Sequence, residues 1–131
     1  MPKLDGVLET SIYVDDLQRS VLFYRTILGF EVIDSNERLC ALSILDRQIL
    51  LVFKKEASAN LALGAHDGKG RLHLAFAVPF QELPAWEAWL QRHKVAIEHR
   101  RVWERGGSSL YFRDPDQHLI ELATPGVWSI Y

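Results

Sequence analysis

The sequence lacks a disulfide partner, a membrane-length apolar run and a charge of one sign. Its single cysteine, Cys40, excludes an intrachain bridge and fits a reducing compartment. No apolar run approaches the roughly 18 residues that span a bilayer. No apolar segment of leader type follows the first residues, so the expectation is a cytoplasmic protein. A formal net charge of −2 argues against nucleic acid and anionic membrane surfaces as partners. What remains is an ordinary globular composition, 48% apolar and 24% charged, in a 131-residue chain large enough for a real core.

What is present is a duplicated strand. Leu8-Glu-Thr-Ser-Ile-Tyr-Val14 returns as Leu72-His-Leu-Ala-Phe-Ala-Val78. Leu8, Ile12 and Val14 match Leu72, Phe76 and Val78, and a potential metal ligand holds the same place in each copy: Glu9, then His73. Both copies alternate, so each reads as a strand with one packed and one open face. Glu9, Ser11 and Tyr13 share the open face of the first; His73, Ala75 and Ala77 share that of the second.

The repeat extends along the chain. Asp15 or Asp16 caps a helix whose Leu17, Val21, Tyr24 and Leu28 recur at helical spacing, and Gly29 ends it. Strands follow at Phe30–Ile33, Arg38–Leu45 and Gln48–Phe53, the last two joined by a turn at Asp46-Arg47. An irregular stretch, residues 55–70, reads as a linker. Beyond it come the His73 strand, a helix from about Glu82 to His93 with Leu83, Trp86 and Leu90 on one stripe, and strands at Val95–His99, Ser108–Arg113 and His118–Ala123. The fold class is therefore α+β, with two βαβββ modules at about 7–54 and 71–124. Trp86 and Trp89 read as packing residues and Cys40 as a small buried hydrophobe. His118 is offset by an odd count from Glu121 and belongs on the other side of its strand; His66, His93 and His99 are likewise not expected to be ligands.

The stretch from Glu9 to Phe30, with Asp16, Phe23-Tyr24 and Leu28-Gly29-Phe30, resembles the opening of the vicinal oxygen chelate superfamily, which includes glyoxalase I, fosfomycin resistance enzymes, bleomycin-binding proteins and extradiol dioxygenases. Tyr111-Phe-Arg-Asp-Pro-Asp-Gln-His-Leu-Ile-Glu-Leu122 resembles its closing motif. The resemblance implies curved mixed sheets forming a metal-binding cup, with ligands from the first strand of each module and the last strand of the second. Those positions are Glu9, His73 and Glu121. Two carboxylates and one imidazole favour hard or borderline ions, Mn²⁺, Mg²⁺, Ni²⁺ or Zn²⁺, and leave Fe²⁺ open. Aligning the closing hairpins puts Leu51 where Glu121 stands in the second module. Glyoxalase I has an acid at that place, so Leu51 weighs against its reaction and leaves a coordination position for substrate or water.

The resemblance also implies substrate contacts at Ser11, Ser109 and Tyr111. Tyr13 shares the open strand face, and Trp103 and Arg105 lie in the Arg100–Gly107 stretch, where Arg suits an anion and the Gly pair allows close backbone approach. No catalytic base is identified. The reading is a divalent-metal-dependent, glyoxalase-like enzyme of lyase, isomerase or epoxide-addition type that acts on a small oxygen-rich molecule. The alternatives are an extradiol-type dioxygenase and a metal-free drug-binding resistance protein. A homodimer with shared sites is expected, Glu9 coming from one chain and His73 with Glu121 from the other.

Overall fold

The computed structural model describes every residue from Met1 to Tyr131. The chain divides into two compact units, Met1–Gly70 and Arg71–Tyr131. No helix is long and apolar enough to cross a membrane.

The first unit contains β1 (Glu9–Val14), α1 (Leu17–Leu28), β2 (Glu31–Ser35), β3 (Leu39–Ile44) and β4 (Gln48–Lys54). Its four strands lie in the order β1-β4-β3-β2, β1 parallel to β4 and the rest antiparallel. Helix α1 starts where Asp16 accepts the Arg19 N–H at 3.0 Å, and it ends at Gly29, whose φ of 72° lets its N–H return to the Arg25 carbonyl. The expected stripe is rotated: Ser20, Tyr24 and Ile27 are buried, while Leu17, Val21 and Leu28 flank them half-exposed. Ser20 is small enough for the helix backbone to approach the sheet, and Tyr24 stacks on Phe30 with ring centroids 6.3 Å apart. The β3–β4 turn is one residue earlier than expected. Leu45 and Asp46 both take φ of 54°, and Arg47 N–H closes the turn on the Ile44 carbonyl. This is the backbone of a primed hairpin turn, whose twist matches the strands.

The second unit repeats the plan with β5 (His73–Ala77), a 3₁₀ turn (Phe80–Glu82), α2 (Leu83–Arg92), β6 (Ile97–Val102), β7 (Ser108–Arg113) and β8 (Leu119–Ala123). Its strand order is β5-β8-β7-β6. Pro84 lies in the first turn of α2, where its missing N–H has no intrahelical partner to lose. Strand β6 runs later than the expected Val95–His99, because the chain spends Lys94–Ala96 leaving the helix. Trp89 is exposed, not packed in the core, and its ring lies against His93 with centroids 3.9 Å apart. The core of this unit is Leu90, Leu110, Phe112, Ile120 and Leu122, all buried.

The modules repeat down to their registers. Glu9 pairs with Ile49 as His73 pairs with Leu119, and Ser11 with Leu51 as Ala75 with Glu121. A bulge falls at the same place in each edge strand, between Val32 and Asp34 and between Ile97 and His99. The alternation on β8 follows: Ile120 and Leu122 go to the helix side, so Glu121 goes to the open side with His73.

Leu45 is a leucine in a left-handed conformation, 82% exposed. Leu45→Asn should raise the denaturation midpoint by an amount equivalent to about 1 kcal/mol, because Asn tolerates this conformation and Leu does not. A lower midpoint would show that Leu45 has a packing role.

A candidate metal-binding half-site on the second module

The open face of the second sheet gathers one connected set of polar groups. Glu121 is 6% exposed. Its Oε1 accepts the Ser109 hydroxyl at 2.5 Å and the Tyr111 hydroxyl at 2.9 Å. These donors arrive from β7, where the register sets Tyr111 directly opposite Glu121 and Ser109 opposite Ala123. The Trp103 indole N–H donates to Ser109 Oγ at 2.8 Å, which leaves that hydroxyl's proton for Glu121. One carboxylate oxygen is therefore fully engaged and the side chain is fixed.

The other oxygen, Oε2, lies 3.2 Å from His73 Nε2. His73 Nδ1 is 3.1 Å from the Leu119 carbonyl, which can only accept, so Nδ1 carries a proton. Nε2 is then the ring nitrogen that meets the carboxylate, and the two atoms can share a proton or a metal ion. A backbone carbonyl on the far ring nitrogen is how metal-binding histidines are oriented, and hydroxyl donors on the far carboxylate oxygen do the same for Glu121. The donor set fits a divalent ion.

It is half a set. Neither module alone gathers three His, Cys, Asp or Glu side chains. Glu9 is exposed on β1, on the strand face it shares with Ser11, which is also exposed. The position that would supply an acid in the first module holds Leu51, opposite Ser11.

Several expected substrate contacts have other partners. The Ser109 hydroxyl is 1% exposed and spent between Trp103 and Glu121, so its role is to hold the carboxylate. The Trp103 N–H is likewise committed. Tyr13 stacks on Phe53 at 5.7 Å, and its hydroxyl is 2.7 Å from His66 Nδ1. The 55–70 segment thus folds onto the first sheet, with Gly68 so close that a Cβ there would overlap the Tyr13 ring. Arg105 is exposed on the β6–β7 loop. The arginine that reaches this face is Arg101, which pairs with Ser109 and lays its guanidinium 3.6 Å over the Trp103 ring. Its parity with His99 is the signal in the sequence, and it lies beyond the expected strand end at His99.

The chain matches the model of the Glyoxalase/Bleomycin resistance protein/Dioxygenase superfamily over residues 6–122. It belongs to that superfamily. A metallothiol transferase FosB of Staphylococcus epidermidis is 31% identical over 112 residues, covering 85% of this chain and 75% of that protein. A catechol-2,3-dioxygenase of Bacillus subtilis is 31% identical over 110 residues, 83% of this chain but 38% of that enzyme. The crystal structure of a lactoylglutathione lyase from Agrobacterium tumefaciens matches with a TM-score of 0.91 and 26% identity, covering 98% of this chain and 99% of that one. This superfamily member therefore has a transferase, a dioxygenase and a lyase among its relatives, which places its fold firmly and leaves its reaction open.

Burial, and then the hydrogen bond to Glu121, push the Tyr111 phenol above the ordinary tyrosine range. A raised folded pKa favours the neutral phenol, so this stabilisation is complete below the unfolded value, about 10, and is lost as pH rises through the folded one. The wild-type protein should lose stability in that alkaline window more steeply than Tyr111→Phe. Parallel stability profiles for the two would contradict the coupling.

Proposed function

We propose that this protein is a divalent-metal-dependent enzyme that joins a nucleophile to a small, oxygen-bearing electrophile. Glu9, His73 and Glu121 would hold the ion, chosen from Mn²⁺, Mg²⁺, Ni²⁺, Zn²⁺ or Fe²⁺. The observation that carries the reading is the 3.2 Å approach of His73 Nε2 to Glu121 Oε2, while His73 Nδ1 and Glu121 Oε1 are engaged elsewhere. When bound, the metal supplies a Lewis acid that polarises a substrate oxygen and stabilises the negative charge developing there.

The chain's own residues do the rest. Ser109 and Tyr111 donate to Oε1 and fix Glu121, so that Oε2 is the oxygen left for the ion. Arg101, with no carboxylate partner among its contacts and held flat on Trp103, offers N–H groups to an anionic part of the substrate. Ser11 is exposed beside Leu51 and offers a hydroxyl. Leu51 favours addition over isomerisation: proton shuttling on carbon needs a base, and an addition supplies its own nucleophile. The similarity to a metallothiol transferase supports a thiol as that nucleophile. A second reading, glyoxalase-like isomerisation, is supported by the near-complete match to a lactoylglutathione lyase.

The active form is a homodimer with two equivalent shared sites, because each module presents only part of the ligand set. Metal-free protein reloaded with Mn²⁺ and given a thiol with a small epoxide should consume the thiol. Isomerisation of an aldehyde–thiol adduct, without addition, would favour the second reading; inactivity in both assays with every candidate ion would overturn the proposal. Mixing inactive Glu9→Ala and His73→Ala variants should restore one intact site in each mixed dimer, and no recovery would exclude shared sites.

A further inference from the structure

We infer that His118 is a positioning residue for His73; this rests on His73 being a metal ligand. His118 is fully buried, which is unusual for an ionisable side chain that takes no part in the open face. Its Nδ1 accepts the Leu72 N–H at 2.9 Å. Leu72 immediately precedes His73, and its carbonyl accepts the Leu119 N–H at 2.8 Å. The Leu119 carbonyl in turn meets His73 Nδ1. Two consecutive residues, His118 at the end of the β7–β8 turn and Leu119 at the start of β8, therefore set both the backbone entering His73 and the rotation of its ring.

His118 is itself clamped. Asp114, 2% exposed, accepts the His118 N–H at 2.8 Å and the Asp116 N–H at 3.0 Å. The Asp114 N–H donates to the His118 carbonyl at 3.1 Å. Gln117 closes this turn with its N–H on the Asp114 carbonyl, at a φ of 67°. The β7–β8 turn is thus a rigid bracket that ends in an imidazole acceptor aimed at the β5 entry. The turn that leads into the Glu121 strand thus also carries the anchor of His73. One bracket fixes both ligands relative to each other, which a shared ion requires.

The role inferred for His118 rests on the acceptor at its Nδ1. Asn places its Oδ1 at the same distance along the side chain, whereas Leu puts a methyl there. Mn²⁺ affinity should fall about 10–100-fold in His118→Leu and be retained in His118→Asn. Both variants should show the wild-type circular dichroism spectrum; His118→Met replaces the leucine variant should that one not fold. Wild-type affinity in the folded leucine variant would overturn the inference, as would equal losses in the two variants. If the wild-type protein binds no metal, the metal reading fails by itself. The positioning claim is then read from the His73 Nδ1 proton by NMR. That proton should exchange slowly in wild type and His118→Asn and rapidly in His118→Leu, and equal rates in all three would refute it.

Discussion

The open face of the second module depends on one contact: a carboxylate stripped of most of its water lies 3.2 Å from an imidazole nitrogen. An ionised carboxylate at this burial is costly unless charge or hydrogen bonds compensate it. Two hydroxyls compensate one oxygen. The other is compensated only by whatever cation binds with His73. The surrounding framework maintains this contact. The parallel β5–β8 register brings the two residues to one face, the β7 hydroxyls prevent Glu121 from turning away, and the Leu119 carbonyl prevents the imidazole from doing so.

Duplication explains why such an arrangement arises in a short chain. Each module buries one sheet face against its own helix and leaves the other free for chemistry. The repeated registers and bulges give every functional position a counterpart. Where the second module has Glu121, the first has Leu51; where the second has His73, the first has Glu9. The modules share a scaffold but not the side chains at these positions.

Much of this was legible in the residues. Alternation in Leu8–Val14 and Leu72–Val78 placed Glu9 and His73 on open faces, and parity against Ile120 and Leu122 did the same for Glu121. The α+β class and the two βαβββ modules followed from the repeat. Less visible were hydrogen-bond destinations. Strand parity brought Ser109 and Tyr111 to the right face but could not tell a substrate contact from a carboxylate holder, since both need a hydroxyl there. Tyr13 was drawn to His66 by folding of the 55–70 segment, whose irregular sequence carries no period to read. β6 runs on to Val102, beyond the expected end at His99, and Arg101 lies in that extension. His118 was correctly set on the packed face, but that its imidazole reaches the Leu72 amide is a tertiary fact.

The central claim is that a metal ion joins His73 to Glu121, and the most direct measurement is X-ray absorption on the purified protein loaded with one equivalent of Zn²⁺. The account predicts tight retention of the ion through desalting, and a first shell of oxygen and nitrogen with a single imidazole at about 2.0–2.1 Å. Loss of the ion on desalting, or a shell containing no imidazole, would contradict it.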